Sequence, residues 1–462
     1  MGVDTQESNG QNALNNLHPD LIEEQRKELV ELSKKRHLRC RMRVCRFEND
    51  DWSDCTLAIS PPAEIIHSPE QGSRLTIDIT GLKIPQTLTD RPQVSSYSQF
   101  ELILKTLTRL EHAMPDQFLK DLLLTPGTSG QEESIQKVVR DYVKDFADKV
   151  ETDVFGNVSA TVNPEGTTTI LLDAHCDQIG LIVKHIDSYG FIRINPIGGW
   201  DLQILLGQRM LVHTATGPVP GVIARKPIHL LDLEERKTVP KMKELWIDIG
   251  SASETETRSL VRIGDTVTPE PCLRELRNGR LAGVAMDDRT GIWVIMTALR
   301  KIAQGNPFAK VVAVSSAQEE IGLRGATTSA YNVNPDIAIA VDVTHATDCP
   351  GIDQNEFGRI EIGKGAVVVR GPNANPRVVD LLIQQAQEKS IPIQINALGS
   401  PVSNDGAAIQ ISRGGCAMGL VTIPNRYMHS PVELVAESDL ENASDLIAAF
   451  CLAIHKDSCF VP

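Results

Sequence analysis

Short apolar runs alternate with helical stretches along the chain from about residue 98 onward. TTILLDAH, AKVVAVSS and DIAIAVDV are dominated by Val, Ile, Leu and Ala, and GIWVIMTALRKI carries apolar residues at helical spacing. Buried strand candidates separated by helices are typical of a parallel or mixed sheet covered on both faces. The predicted fold class is therefore α/β, with a mixed, mostly parallel sheet flanked by helices. In TSGQEES, Ser129 and Glu132 have the spacing of a capping box that opens the helix IQKVVRDYVKDFADKV.

One region interrupts this α/β pattern. Residues 184–278 contain short strand candidates (QRMLVHT, PGVIA, ELWIDIG and DTVTPE) separated by Gly and Pro, with little helical periodicity. We therefore predict a β-rich domain at 184–278, inserted into an α/β domain made of residues 98–183 and 279–462.

The first 97 residues have a different pattern and are predicted to form an N-terminal extension. A polar tail leads into a predicted helix at 19–35, a small β-containing module near 38–82 and a linker at 83–97. In RCRMRVC, arginines alternate with apolar residues, which predicts a strand with one basic face. That face suits either an acidic partner or simple solvation, and solvation is the simpler explanation.

Composition narrows the class of protein. With 41% hydrophobic and 23% charged residues the chain resembles ordinary soluble proteins, and its net charge of −14 argues against nucleic acid as a partner. The nine cysteines show no CxxC pairing, which favours free thiols in a reducing compartment. The first 16 residues are polar, and no apolar run approaches the roughly 18–20 residues that span a bilayer. We predict a soluble, cytoplasmic protein without a membrane partner.

Acidic and histidine residues follow the ends of the predicted strands. The carboxyl ends of strands in an open α/β sheet border one crevice, so these side chains are expected to converge. The candidates are His175, Asp177, Glu319, Glu320, Asp342 and His429, with Asp287 and Asp288 directly before a helix.

Each candidate alone has an ordinary structural explanation, such as a helix cap or a solvated corner. Together, so many carboxylates in one crevice would repel one another without a cation. Two adjacent divalent ions resolve this, and a mixed His/carboxylate set suits Zn or Co, or Mn, better than Ca or Mg. Two such ions can share and activate a water that attacks a carbonyl, with an acid that is not a ligand moving protons.

The motifs TPGTSGQEE, DVFGNV, DAHCDQIGLIV, AMDDRTG, QEEIGLRGA, AVDVTHATDCPG and PNRYMHSPVE occur in this order. With them the chain closely resembles the TET-type di-metal aminopeptidases, the family of glutamyl and leucyl aminopeptidases that form tetrahedral assemblies. The resemblance runs from about Phe118 to the C-terminus and implies a zinc-exopeptidase-like fold.

The resemblance also implies roles for single residues. Asp287 would bridge two metal ions, His175 and Asp342 would complete one ion, and Glu320 and His429 the other. Glu319 would be the general base of the metal-bridged water, and Asp177 would orient His175. The peptide bond before Asp288 would be cis.

For the whole protein, the resemblance implies an enzyme that hydrolyses N-terminal residues from peptides. The inserted domain would be PDZ-like and drive assembly of a homo-oligomer, commonly a hollow tetrahedral dodecamer. The chain departs from the family pattern at Gln178, where Glu is usual, and at Asn404–Asp405, where a Thr-Asp pair is usual. The N-terminal 97 residues have no counterpart in compact family members.

Two alternative functions remain open at this point. Paired carboxylates also catalyse glycoside hydrolysis, as in an endoglucanase, although two histidines and only 4% aromatic residues argue against it. The other alternative is a non-catalytic scaffold whose peptidase domain is vestigial.

Overall fold

The computed structural model describes residues 39–41, 58–60 and 116–462. The chain forms two units, residues 1–114 and residues 115–462. In the first unit, β1 (Arg39–Arg41) pairs antiparallel with β2 (Ala58–Ser60), and both strands fall within the predicted β module. The predicted helix at 19–35 and the predicted linker at 83–97 lie outside the described residues.

The second unit contains three sheets built from short strands. In chain order these are β3 (Lys149–Thr152), β4 (Val158–Val162), β5 (Thr169–His175), β6 (Gly180–Ile186), β7 (Ile192–Ile197), β8 (Arg209–Thr214), β9 (Gly217–Ala224), β10 (Trp246–Asp248), β11 (Thr266–Pro269), β12 (Leu273–Leu276), β13 (Arg280–Gly283), β14 (Lys310–Ser316), β15 (Ile337–His345), β16 (Ala366–Arg370), β17 (Ile393–Ala397), β18 (Ala417–Asn425) and β19 (Glu433–Ala436).

The largest sheet has eight strands in the order β17-β16-β18-β15-β5-β14-β4-β3. Its four central strands, β18, β15, β5 and β14, run parallel, whereas β4 and β3 extend one edge antiparallel. The mixed sheet with a parallel centre confirms the predicted α/β class. The apolar runs TTILLDAH, AKVVAVSS and DIAIAVDV, predicted as buried strands, correspond to β5, β14 and β15.

Helices connect the strands and cover the sheet. They are α1 (Gln117–Leu124), α2 (Glu133–Val143), α3 (Leu202–Leu205), α4 (Glu254–Leu260), α5 (Met286–Gln304), α6 (Arg324–Val333), α7 (Gln354–Phe357), α8 (Pro376–Glu388), α9 (Asp405–Gln410) and α10 (Glu437–Leu452), with short 3-10 turns at Ile228–Leu230, Glu235–Lys237 and Met242–Glu244. In the described part of the chain, no helix has the length and apolar character needed to span a bilayer.

Successive side chains of β5 pack into different cores because strand residues alternate between the two faces of a sheet. Ile170 and Leu172 are fully buried in the core that includes Trp293 of α5. Leu171 is buried in a second core with Ala326 of α6. Helices therefore cover both faces, which is why the central strands are apolar without alternation.

The predicted capping box is wrong. Helix α2 begins at Glu133, and the side chain of Glu132 instead accepts the N–H of Gly130 at 2.7 Å. The hydroxyl of Ser129 donates to the carboxylate of Asp177 at 2.6 Å. A hydrogen bond to an ionised carboxylate is stronger than one between neutral groups, which favours the contact of Ser129 with Asp177 over a helix cap.

Strands β6 to β11 form a closed barrel in the order β10-β7-β6-β11-β8-β9. The barrel has its own apolar core, which includes Leu181, Val212 and Ile247, all fully buried. The barrel therefore accounts for the β-rich pattern between the α/β segments. Its PDZ-like character and the boundaries 1–97, 184–278, and 98–183 with 279–462 stay predictions.

Candidate metal centre

The predicted residues lie at one edge of the large sheet. His175 ends β5, Glu319 and Glu320 follow β14, Asp342 lies near the end of β15, and His429 follows β18. These four strands are parallel neighbours, so their carboxyl ends meet. The convergence predicted from strand ends is what brings these side chains together.

Their donor atoms form two groups. His175, Glu319 and Asp342 each offer one atom within 4.8 Å of the others, and so do Asp287, Glu320 and His429. We call these the first and the second donor group. All six residues were candidates from the sequence, and the structure brings all six together.

Asp287 connects the two donor groups. Its Oδ1 lies 3.1 Å from Nε2 of His175, and its Oδ2 lies 3.3 Å from Nε2 of His429. Asp287 precedes the regular part of α5, and the Asp287–Asp288 peptide bond is cis, as the resemblance implies. A carboxylate with one oxygen towards each histidine is placed as a bridging ligand has to be.

The ring of His175 is held in one orientation. Its Nδ1 lies 3.1 Å from the backbone carbonyl oxygen of Asp177 and 3.5 Å from the Asp177 carboxylate. A carbonyl oxygen only accepts, so Nδ1 carries a proton. The Asp287 carboxylate also only accepts, so Nε2 donates to it in the metal-free protein, and a metal ion would take the place of that proton. This is the usual arrangement of a metal-binding histidine.

Asp177 lies outside both donor groups and organises the residues around it. Its carboxylate accepts the backbone N–H of Glu319 at 3.0 Å and of Glu320 at 3.2 Å, in addition to the Ser129 hydroxyl. Burial alone would raise the pKa of Asp177, but the hydrogen bonds from His175 and Ser129 lower it below its ordinary value. Asp177 therefore stays ionised and fixes the turn that carries both glutamates.

Burial and neighbouring negative charge raise the pKa values of three carboxylates of the site, whereas the two histidines lower the pKa of Asp287. Burial and the charge of Asp287 raise the pKa of Asp342 to about 7 and that of Glu320 to about 8. Burial and the charge of Asp342 raise the pKa of Glu319 to about 10. All four carboxylates can be ionised together at neutral pH only with positive charge beside them.

The donor set fits two divalent metal ions. It combines imidazole nitrogens with carboxylate oxygens, which suits transition metals. Among the described residues, Oδ2 of buried Asp288 has no hydrogen-bond partner. Its Oδ1 accepts the N–H of Gly291 at 3.1 Å, so Asp288 supports the start of α5.

Two further residues of the site, Glu433 and Asp405, were missed or left without a role by sequence reasoning. Glu433 accepts the backbone N–H of both Asp287 and His429. Asp405 accepts the hydroxyl of Ser316, the last residue of β14, at 2.9 Å. Glu433 is the last residue of the motif PNRYMHSPVE, so the motif includes it. A single acid at the start of a strand, however, does not indicate which groups it contacts.

The fold and the two donor groups define an α/β protein with a candidate two-metal centre. The sequence profile of the M42 glutamyl aminopeptidase family matches residues 156–446, and the chain belongs to this family. It is therefore a hydrolase of the metallo-aminopeptidase class, and the resemblance predicted from its motifs is confirmed.

Relatives cover the α/β and barrel regions together. The chain is 35% identical over 338 residues to the lysyl aminopeptidase of Pyrococcus furiosus, which spans 72% of this chain and 95% of the relative. The TET aminopeptidase of Thaumarchaeota archaeon SCGC AB-539-E09, from marine sediment, matches with a TM-score of 0.71 and 34% identity, over 74% of this chain and 96% of that one.

Two other solved structures bear on assembly and on the glycosidase alternative. The TET1 peptidase of Pyrococcus horikoshii, described as assembling into a tetrahedron or a large octahedral shell, matches with a TM-score of 0.66 and 31% identity over 73% of this chain and 99% of that one. A Thermotoga maritima structure described as an endoglucanase matches with a TM-score of 0.59 and 27% identity over 72% of this chain and 96% of that one. The same fold therefore carries both descriptions.

Proposed function

We propose that this protein hydrolyses N-terminal residues from peptides and uses two divalent metal ions to do so. The proposed ions are Zn or Co, with Mn as the third candidate. The observation that carries the proposal is the Asp287 carboxylate, which has one oxygen facing each of the two histidines. Asp287 would bridge the ions, His175 and Asp342 would complete one, and Glu320 and His429 the other. When bound, the ions supply Lewis acidity that activates water and stabilises negative charge on the peptide carbonyl oxygen.

Glu319 is the proposed general base. Its Oε2 lies 3.8 Å from Nε2 of His175, so it faces the donors of the first group. With cations beside it the ionised form is favoured, and Oε2 can take a proton from the attacking water and return it to the leaving amine. Glu319 is also close enough to His175 and Asp342 to act as a ligand, and the metal content of Glu319→Gln distinguishes a base from a ligand.

The experiment is hydrolysis of a panel of aminoacyl p-nitroanilides by metal-free protein and by protein supplied with Zn²⁺, Co²⁺ or Mn²⁺. We expect release of p-nitroaniline only with metal, and two ions per chain by elemental analysis. Turnover that survives complete chelation would sink the proposal. A chain that binds no divalent ion would favour the non-catalytic scaffold instead.

Glycoside hydrolysis is a weaker candidate. The chain belongs to an aminopeptidase family, and a carboxylate pair that cleaves sugars needs neither His175 nor His429. Release of reducing ends from carboxymethylcellulose, unaffected by chelation, would reverse this ranking.

We also propose a homo-oligomer assembled through the barrel, in line with the shells formed by the Pyrococcus horikoshii relative. The segment between β9 and β10 exposes Ile228, Leu230 and Leu233 at 60%, 69% and 73%. Neighbouring exposed apolar side chains are typical of interaction surfaces. The double variant Leu230→Ser/Leu233→Ser should give smaller particles in analytical ultracentrifugation, whereas Val461→Ser, an exposed position elsewhere, should sediment like the parent.

A further inference from the structure

Glu433 joins two residues of the second donor group through their backbones. Its Oε1 accepts the N–H of His429 at 2.9 Å, and its Oε2 accepts the N–H of Asp287 at 3.3 Å. The residue is 2% exposed, so water competes little for either oxygen. One carboxylate therefore sets the spacing between the backbones that carry two candidate ligands.

Neither ligand is held in place by regular secondary structure. Asp287 has non-helical backbone angles ahead of the regular turns of α5, and His429 lies in a loop with a φ of 58°. Glu433 itself is held by the sheet, because β19 pairs with β13 and places Glu433 opposite Gly283, four residues before Asp287. The rigid pair of strands thus presents one carboxylate to two less regular segments.

Glu433 is not placed to be a metal ligand itself. Both oxygens are occupied by amides, and the second donor group is formed by Asp287, Glu320 and His429 without it. A general contribution to stability is the remaining alternative, because a buried acid with two hydrogen bonds also stabilises its surroundings. The two explanations differ in whether one metal ion or the whole fold is affected.

We propose that Glu433 is a positioning residue that sets the affinity of the ion held by Asp287, Glu320 and His429. The inference rests on the proposed function, because both donor groups have to hold metal. Loss of groups that orient metal ligands typically lowers metal affinity about 10–100-fold. The ion of the first donor group shares only the bridging Asp287 with the second, and its other proposed ligands, His175 and Asp342, receive no hydrogen bond from Glu433, so we expect this ion to be affected less.

The test is Glu433→Gln in the full-length chain. The amide has the shape of the carboxylate but only one acceptor oxygen, so one backbone N–H faces an NH₂ group. Equilibrium dialysis against Zn²⁺ with elemental analysis should show one ion bound about 10–100-fold more weakly and the other weakened clearly less. The visible absorption of Co²⁺-loaded protein should change as well. Glu437→Gln, four residues further along, is the matched control and should bind both ions as the parent does.

Glu433→Asp separates position from charge and also serves if Glu433→Gln does not fold. Aspartate keeps the charge but is too short to span both amides, so it should show the same selective loss. Parental affinity in Glu433→Asp, or equal loss of both ions with a lower unfolding temperature of the metal-free protein, would overturn the inference. If Glu433→Gln binds two ions as tightly as the parent, the inference about Glu433 is wrong but the proposed function stands. If the parent chain binds no ions, both the inference and the proposed function are wrong.

Discussion

Arg289 donates a hydrogen bond from Nη2 to Oε1 of Gln178 over 2.8 Å, and both side chains are buried. The same guanidinium also donates to backbone carbonyl oxygens of Leu122, Cys176 and Gly127. It thereby ties the end of β5 to the start of α5, the two segments that supply His175 and Asp287. Gln178 departs from the family pattern, yet it still offers this cation an acceptor.

Removing that acceptor should destabilise the fold. Gln178→Leu leaves one N–H of a buried guanidinium without a partner, which costs about 1.5–3 kcal/mol for a hydrogen bond to a charged group. Gln178→Glu restores a carboxylate partner, and we expect it to unfold at the parental temperature or above. Differential scanning calorimetry of the metal-free proteins measures both changes. Gln304→Leu, an exposed position at the end of α5, is the control, and a Gln178→Leu midpoint equal to that control would contradict the argument.

Glu319 and Glu320 should respond differently to loss of charge. Glu319→Gln removes the proposed base and is expected to lower kcat on the order of 10²-fold or more while two ions stay bound. Glu320→Gln removes a proposed ligand and should release the ion of the second donor group. Steady-state kinetics and metal analysis on the same preparations check this. If Glu319→Gln also loses an ion, Glu319 is a ligand and another residue moves the proton.

Asp177 offers a test of how the glutamate turn is held. Asp177→Asn retains one acceptor oxygen, although the parent carboxylate accepts from Glu319, Glu320 and Ser129. We expect metal affinity to fall about 10–100-fold, as for other groups that orient ligands. Ser129→Ala removes only the hydroxyl and should have a smaller effect. Competition with a fluorescent Zn²⁺ chelator gives the Zn²⁺ affinity of both variants. An equal loss of affinity in Asp177→Asn and Ser129→Ala would argue that the contacts of Asp177 with the glutamate turn do not position the ligands.

The central sheet and its ligand positions were predictable because both depend on local pattern. Buried parallel strands consist of nearly continuous apolar residues, and β14 coincides with the run KVVAVSS. His175 and Asp342 lie at or near the ends of their strands, and Glu319 and His429 come shortly after theirs, so chain order alone places them at one edge. The cis peptide at Asp287 and the split of the site into two groups came from the resemblance, since no periodicity encodes them.

The supporting residues were harder to predict because their partners are distant in the chain. Ser129 has the spacing of a helix cap, and only the folded chain shows that the carboxylate of Asp177, 48 residues away, accepts its hydroxyl proton. Glu433 and Asp287 are 146 residues apart. Hydrogen bonds between such remote segments leave no mark on local sequence, so a single sequence gives no sign of them.

Glu437 makes stability depend on pH away from the metal centre. Burial and the charges of Glu275 and Glu441 raise the pKa of Glu437 from its ordinary value of 4.5 to about 7, although the charge of Lys120 acts in the opposite direction. A carboxyl with a higher pKa in the folded protein binds its proton more tightly there. The Glu437 carboxyl therefore costs no stability at pH values below its pKa in the unfolded chain, where it is protonated in both states. It destabilises the folded protein as the pH rises through its folded pKa of about 7.

Glu437→Gln should remove this cost because the amide stays neutral. With allowance for solvent screening at a half-buried position, we expect the variant to be more stable than the parent by on the order of 1 kcal/mol near about pH 9. The two proteins should unfold at the same temperature near about pH 4, where the parent carboxyl is protonated in both states. Thermal unfolding at both pH values, with the exposed substitution Glu165→Gln as control, measures the difference. A gain that is the same at both pH values would mean that packing, rather than the charge of Glu437, is responsible.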